Sequence, residues 1–217
     1  MARSIGSPTA QAARAANLPG LPVIKSAAAV VVMTTALVTS PSPTFSQVRS
    51  AAALVATCAA CHGEDGNSRL ENTPSLAGQP EFFLLNQLVL MRDGVRAIPA
   101  MAALVRDLTD ADIQAIASHF STRDPRASDE PIDAAFAKRG RELAVTLRCG
   151  SCHLPGLGGQ QQIPRLARQR IDYLTHALKD YRNGTRAGAD TLMNNAVAGV
   201  SDADLSALAH YATSPQP

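Results

Sequence analysis

The sequence predicts an all-α fold built as two tandem, related units of short helices. Three observations predict it. Apolar residues recur at helical spacing, with no convincing period-2 strand between them. The chain matches itself at an offset of about 90 residues, too long for a solenoid period and the mark of a duplicated domain. Only 4% of the residues are aromatic although 46% are apolar, so the helices must pack on something other than aromatic side chains. A length of 217 residues allows one large domain or two small ones. Charged residues make up 18% of this largely apolar chain, which excludes wholesale disorder. A net charge of +2 excludes a general nucleic-acid binder, which would carry a basic stripe.

The elements follow in order. Residues 1–46 read as a cleaved secretory leader: Lys25 precedes the apolar run AAAVVVMTTALV, and the polar SPSPTFSQ follows it. That run is too short for the ~20 residues of a spanning helix, so no spanning helix is expected in the mature chain. Arg3, Arg14 and Lys25 leave with the leader, and the rest of the chain is close to neutral. Residues 47–121 form the first unit, with helices expected over 47–61, 81–92 and 109–120. The last of these opens on the cap-like Thr109-Asp-Ala-Asp112. A polar linker, TRDPRASDEP, occupies 122–131, and the second unit covers 132–217 with helices over 132–149, 171–181 and 201–211. Helices this short cannot make a large core alone.

The four cysteines supply the missing element. They occur as Cys58-Ala-Ala-Cys61-His62 and Cys149-Gly-Ser-Cys152-His153. C-x-x-C-H is the attachment pattern of c-type haem. Two thiols one helical turn apart each add to a vinyl group, and the adjoining His falls beneath the iron. A zinc ribbon would separate the pairs by ~15–20 residues, and disulfides or redox pairs would not need a His after both. Two covalent haem c groups are therefore expected, with His62 and His153 as axial ligands. Thioether formation also explains how thiols would escape pairing in an oxidising compartment.

The repeat points to the opposite axial ligands. Pro74-Ser-Leu76-Ala77-x-Gln79 matches Pro164-Arg-Leu166-Ala167-x-Gln169; Leu88, Arg92, Gly94 and Arg96 match Leu178, Arg182, Gly184 and Arg186. Met101 and Met193 stand at equal distances before Asp110 and Asp202, which open matching Asp-Ala-Asp segments. A Met is ordinarily gap-filling packing, but these matched positions after a haem motif mark Met101 and Met193 as iron ligands. Met91 lies inside a helical pattern and reads as core. His119, His176 and His210 have no matching His and read as surface or helix-end residues.

These motifs together resemble the dihaem cytochrome c4 family, two fused class I cytochrome c domains, over essentially the whole mature chain. The resemblance implies two tandem cytochrome c-like domains, each a few short helices around one covalently attached haem. It also implies that the Pro74 and Pro164 carbonyls accept from the axial histidines. The spacing to Met101 departs slightly from a simple 90-residue offset. By resemblance the protein is a periplasmic one-electron carrier of a respiratory chain, with redox proteins as donor and acceptor. A membrane-bound terminal oxidase is then a candidate acceptor, peripheral membrane association fits the family, and no catalytic residue is expected. Two other readings stay open on the sequence: a dihaem redox enzyme (a peroxidase or a thiosulfate-oxidising cytochrome), or a haem subunit of a larger dehydrogenase or oxidase. Acidic residues outnumber basic ones over 47–125 and the reverse holds over 126–217. That asymmetry leads to the expectation that Arg182 and Arg186 meet an acidic partner more than Arg92 and Arg96 do.

Overall fold

The structure, a computed structural model, describes residues 50–186, 188 and 191–215. The leader expected over 1–46 lies outside these residues. Nine α-helices are described, and the only β pairing among the described residues is an isolated bridge between Gln160 and Ile163. The fold is all-α.

In the N-terminal half, α1 (Ala51–His62) is Ala-rich, which favours helix, and opens on Ser50, whose side chain accepts from Ala53 N at 3.2 Å. It ends at Gly63, whose φ of 86° needs glycine and whose N–H returns to Ala59 O. Helix α2 (Glu81–Arg92) buries Leu84 and Leu88, one turn apart. A short α3 (Pro99–Val105) follows, started by Pro99, whose fixed φ suits the first helical turn. Helix α4 (Asp110–Ser121) is locked by a capping box: Thr109 Oγ1 accepts from Asp112 N, and Asp112 Oδ2 accepts from Thr109 N. These helices close on one cluster including Leu54, Leu84, Leu88, Val105, Ile113 and Phe120.

The C-terminal half repeats the plan with one break. Helix α5 (Ala134–Thr146) stops short of the second cysteine pair, and α6 (Gly150–His153) carries Cys152 and His153. Between them Arg148 adopts φ of 55°, so the single helix expected over 132–149 is divided. Helices α7 (Ile171–Asn183), α8 (Thr191–Ala196) and α9 (Asp202–Thr213) complete the half. Gly140 lets α5 cross α9 closely: a Cβ there would stand 2.0 Å from Ala207 O and 2.8 Å from Tyr211 Cβ. Helices α3 and α8 are additions to the three helices per unit expected from periodicity; seven and six residues are too few for a period of 3.6 to register.

The stretch 122–131, read as a linker, is tied down through polar groups. Asn67 Nδ2 donates to Asp124 O, and Asn67 Oδ1 accepts from Arg126 N. Glu130 caps α7 from outside, its two carboxylate oxygens accepting from Ile171 N (2.7 Å) and Asp172 N (2.9 Å). Arg170 cannot cap that helix itself, so this stretch supplies the anion its N-terminus favours.

Candidate functional site

Each half brings two thiols and one imidazole to the end of a helix. Cys58 is half-buried, Cys61 is exposed and His62, in the last turn of α1, is buried. Cys149 is half-buried just ahead of α6, while on α6 Cys152 is exposed and His153 buried. All four thiols are unpaired. Burial pushes the Cys58 and Cys149 thiols above their ordinary pKa, so both are neutral at physiological pH.

The histidines are oriented identically. His62 Nδ1 donates to Pro74 O at 2.8 Å, and His153 Nδ1 donates to Pro164 O at 2.8 Å. A carbonyl only accepts, so each Nδ1 carries a proton, and in the neutral ring Nε2 then keeps its lone pair. Burial lowers the pKa of both imidazoles and the proline carbonyls oppose this only in part, which favours the neutral, metal-binding form.

Met101 lies on α3 and Met193 on α8, both half-buried. Met101 packs against the apolar cluster that also takes in Cys58, and Met193 against a cluster that takes in Cys149. Met91 reaches the first cluster from α2, so cluster membership does not choose between the two N-terminal methionines; Met101 and Met193 lie on the short helices α3 and α8, which hold matching places in the two halves. The remaining histidines stand elsewhere. His119 and His210 lie in the last turns of α4 and α9, and exposed His176 faces Asp180 at 3.4 Å.

Several features fit a haem. Two neutral imidazoles hold a free Nε2, each with two thiols spaced for vinyl addition. Arg165, next to Pro164, is 5% exposed, and burial beside Arg168 pushes it down to about 10. Its guanidinium reaches only the carbonyls of Ala77 and Ala167, and its Nε, like that of Arg96, is buried without a partner among the described residues. Cationic groups so placed suit the carboxylates a haem brings.

The family described as cytochrome c matches residues 137–214, and that described as cytochrome c oxidase, cbb3-type, subunit III, matches residues 47–119. Cytochrome c4 of Pseudomonas aeruginosa is 36% identical over 171 residues, 73% of this chain and 84% of that protein. The chain belongs to the cytochrome c4 family. The crystal structure of reduced recombinant cytochrome c4 from Pseudomonas stutzeri superposes with a TM-score of 0.70 at 33% identity, over 77% of this chain and 99% of that one. A protein of Thiomonas intermedia named thiosulfate dehydrogenase electron acceptor is 31% identical over 167 residues, 72% of this chain and 77% of its own length. As a member of the cytochrome c4 family, this chain is a periplasmic dihaem c-type cytochrome, an electron carrier and not an enzyme, with two covalently bound haem c groups.

The arginines singled out for docking are engaged by groups of their own half instead. Arg182 Nη1 donates to Val200 O (2.9 Å) and pairs with Asp202 (2.6 Å); at the matching place Arg92 Nη1 reaches Leu108 O and Asp110. Arg186 lies over the Tyr181 ring at 4.9 Å, and Arg96 donates to Gln87 Oε1 at 2.7 Å. Burial alone would push the Tyr173 phenol up, but Arg186 and Arg96, beside it, pull it below its ordinary value. A charge count along the chain carries no record of which way a side chain faces. Gln79 and Gln169 went unassigned in the sequence, although their matching places in the repeat were the signal.

Proposed function

We propose that Cys58 and Cys61 hold one haem with His62 and Met101 as its axial ligands, and that Cys149 and Cys152 hold the other with His153 and Met193. The observation that carries this is the same imidazole-to-proline-carbonyl bond in both halves, beside correctly spaced thiols. The Pro74 and Pro164 carbonyls fix each ring's tautomer and orientation and raise its basicity at Nε2. Haem supplies a one-electron couple, and His/Met ligation keeps its potential high. With a histidine and a methionine both bound to each iron, no position would remain on it for substrate. Each haem belongs to its own domain, 47–121 and 132–217, joined by 122–131, and the leader over 1–46 is removed on export. The carrier takes electrons from a periplasmic redox protein and delivers them toward a membrane-bound terminal oxidase. The relative named as a thiosulfate dehydrogenase electron acceptor supports a dehydrogenase on the donor side.

The test combines mass and potential. Denatured mature protein is expected to keep two haems by mass, since thioethers survive unfolding; release of haem with an apoprotein mass overturns the reading. Met101→His and Met193→His are each expected to lower the potential of one haem and spare the other, because imidazole favours the oxidised metal more than a thioether does. A shift of the first haem by Met91→His in place of Met101→His would move the ligand to α2.

A further inference from the structure

A reciprocal pair of glutamines joins the two halves. Gln79 and Gln169 hold matching places in the repeat, and each is almost fully buried, at 4% and 2% exposure. Gln169 Oε1 accepts from Ser75 N at 2.8 Å while its Nε2 donates to Ser75 O at 2.8 Å. Gln79 Oε1 accepts from Arg165 N at 3.0 Å while its Nε2 donates to Arg165 O at 2.9 Å. Ser75 and Arg165 are themselves matching positions, so each half clasps the other with the same residue at the same place, as a two-fold interface does. Arg165 adds a further tie, its Nη2 donating to Ala77 O at 2.7 Å.

The clasped peptide groups are the ones that face the histidines. Ser75 N–H belongs to the peptide whose carbonyl is Pro74 O, the acceptor of His62 Nδ1–H. Arg165 N–H belongs to the peptide whose carbonyl is Pro164 O, the acceptor of His153 Nδ1–H. Each peptide is therefore held at its oxygen by a histidine of its own half and at its nitrogen by a glutamine of the other. Hydrogen bonds in series through one amide polarise one another. An acceptor at the N–H raises electron density on the carbonyl oxygen, which strengthens the bond to Nδ1–H and makes Nε2 a stronger donor.

We propose that Gln79 and Gln169 are positioning residues that set, each across the interface, the donor strength of the opposite half's histidine, so that the two redox sites tune one another. This rests on His62 and His153 being axial ligands. It assigns Gln169, in the C-terminal half, to the N-terminal haem, and Gln79 to the C-terminal haem. Losing the clasp weakens the imidazole donor and so favours the reduced metal. The affected potential rises.

The experiment uses the full-length protein with both haems attached. Gln79→Met and Gln169→Met keep side-chain length and remove both amide bonds. A potentiometric titration resolves the two components, with Met101→His and Met193→His marking which belongs to which half. Gln169→Met is expected to raise the component marked by Met101→His and leave the other, while Gln79→Met raises the one marked by Met193→His. Hydrogen exchange at the Ser75 and Arg165 amides should accelerate in the same variants. A shift on the glutamine's own side, equal shifts on both, or faster exchange with unmoved potentials overturns the proposal, because a merely structural clasp lowers stability without a crossed shift. If neither methionine marker moves a component, the axial assignment fails and takes this proposal with it, a result distinct from working markers and unmoved glutamine variants. Should the methionine variants lose haem, Gln79→Asn and Gln169→Asn, one methylene too short to span both bonds, carry the same test.

Discussion

Arg92 and Arg182 stand at matching places, each reaching from the end of one helix to the carbonyl just before another. Their side chains are only 22% exposed, and the aspartates that open α4 and α9 close the bracket. Arg182→Gln removes a charged bond to Val200 O and the pairing with Asp202. The expected outcome is a melting temperature lower by a few degrees, since a domain of this size responds steeply to small losses. The salt dependence of electron-transfer rates should stay as in the parent protein; a changed salt slope at unchanged stability would return Arg182 to a docking surface. The cysteines and histidines were legible in the sequence because thioether chemistry dictates their spacing. Met101 and Met193 were singled out only through the repeat, and their ligand role rests on the proposal above. Arginine roles were not legible, because charge says nothing of direction. The glutamine clasp was hidden for a different reason: its partners are backbone atoms about 90 residues away, and backbone groups leave no trace in side-chain patterns.

Among the elements, the helix ends and crossings show which local rules hold in both halves. Helix α4 has the full capping box, with Asp112 reaching back to Thr109 N. At α9, Ser201 Oγ accepts from Asp204 N, but the Asp204 carboxylate turns instead to Arg139 on α5 at 2.9 Å. Thr109→Ala is therefore expected to cost about 1 kcal/mol, and Ser201→Ala less, since α9 keeps its tie to α5 through Asp204. Urea unfolding of the two variants checks the order. Larger still is the effect expected at the α5–α9 crossing. Gly140→Ala drives a methyl group into the Ala207 carbonyl, so the helices must separate or the backbone must bend. Overpacking of that kind costs about 1–3 kcal/mol, and calorimetry showing no loss would mean that the two helices have room for a methyl group at their crossing. Long helices with a periodic face were readable from sequence, as α2 and α7 illustrate. The short α3 and α8 were not, although they carry the methionines, because their positions follow from how the chain returns across each half.

For the molecule as a whole, one part of the link between halves is ionic and so depends on charge state. Asp172 is central to it. Its Oδ2 accepts from Asn72 N of the N-terminal half at 3.1 Å, and Arg170 binds the same carboxylate at 2.8 Å while pairing with Asp129 and Glu130 of the 122–131 stretch. Burial on its own would raise the Asp172 pKa, but the Arg170 guanidinium and the N–H groups of Asn72 and Tyr173 outweigh it and hold the carboxyl below its ordinary value of 3.8. A folded value below the unfolded one means that the carboxylate stabilises the fold fully above the unfolded pKa. The contribution falls away as the pH drops through the folded value. Asp65, tied to Asn67 N and to Arg126 at 2.9 Å, is lowered in the same direction and adds to the effect. The melting temperature of the wild-type protein is thus expected to hold from neutral pH to about 4 and to drop steeply below it. Asp172→Asn should melt lower at neutral pH, because it no longer carries the charge that Arg170 binds, and should show a shallower fall in acid. Parallel melting curves for the two proteins from pH 7 to pH 3 would mean that the acid response arises elsewhere than at this joint.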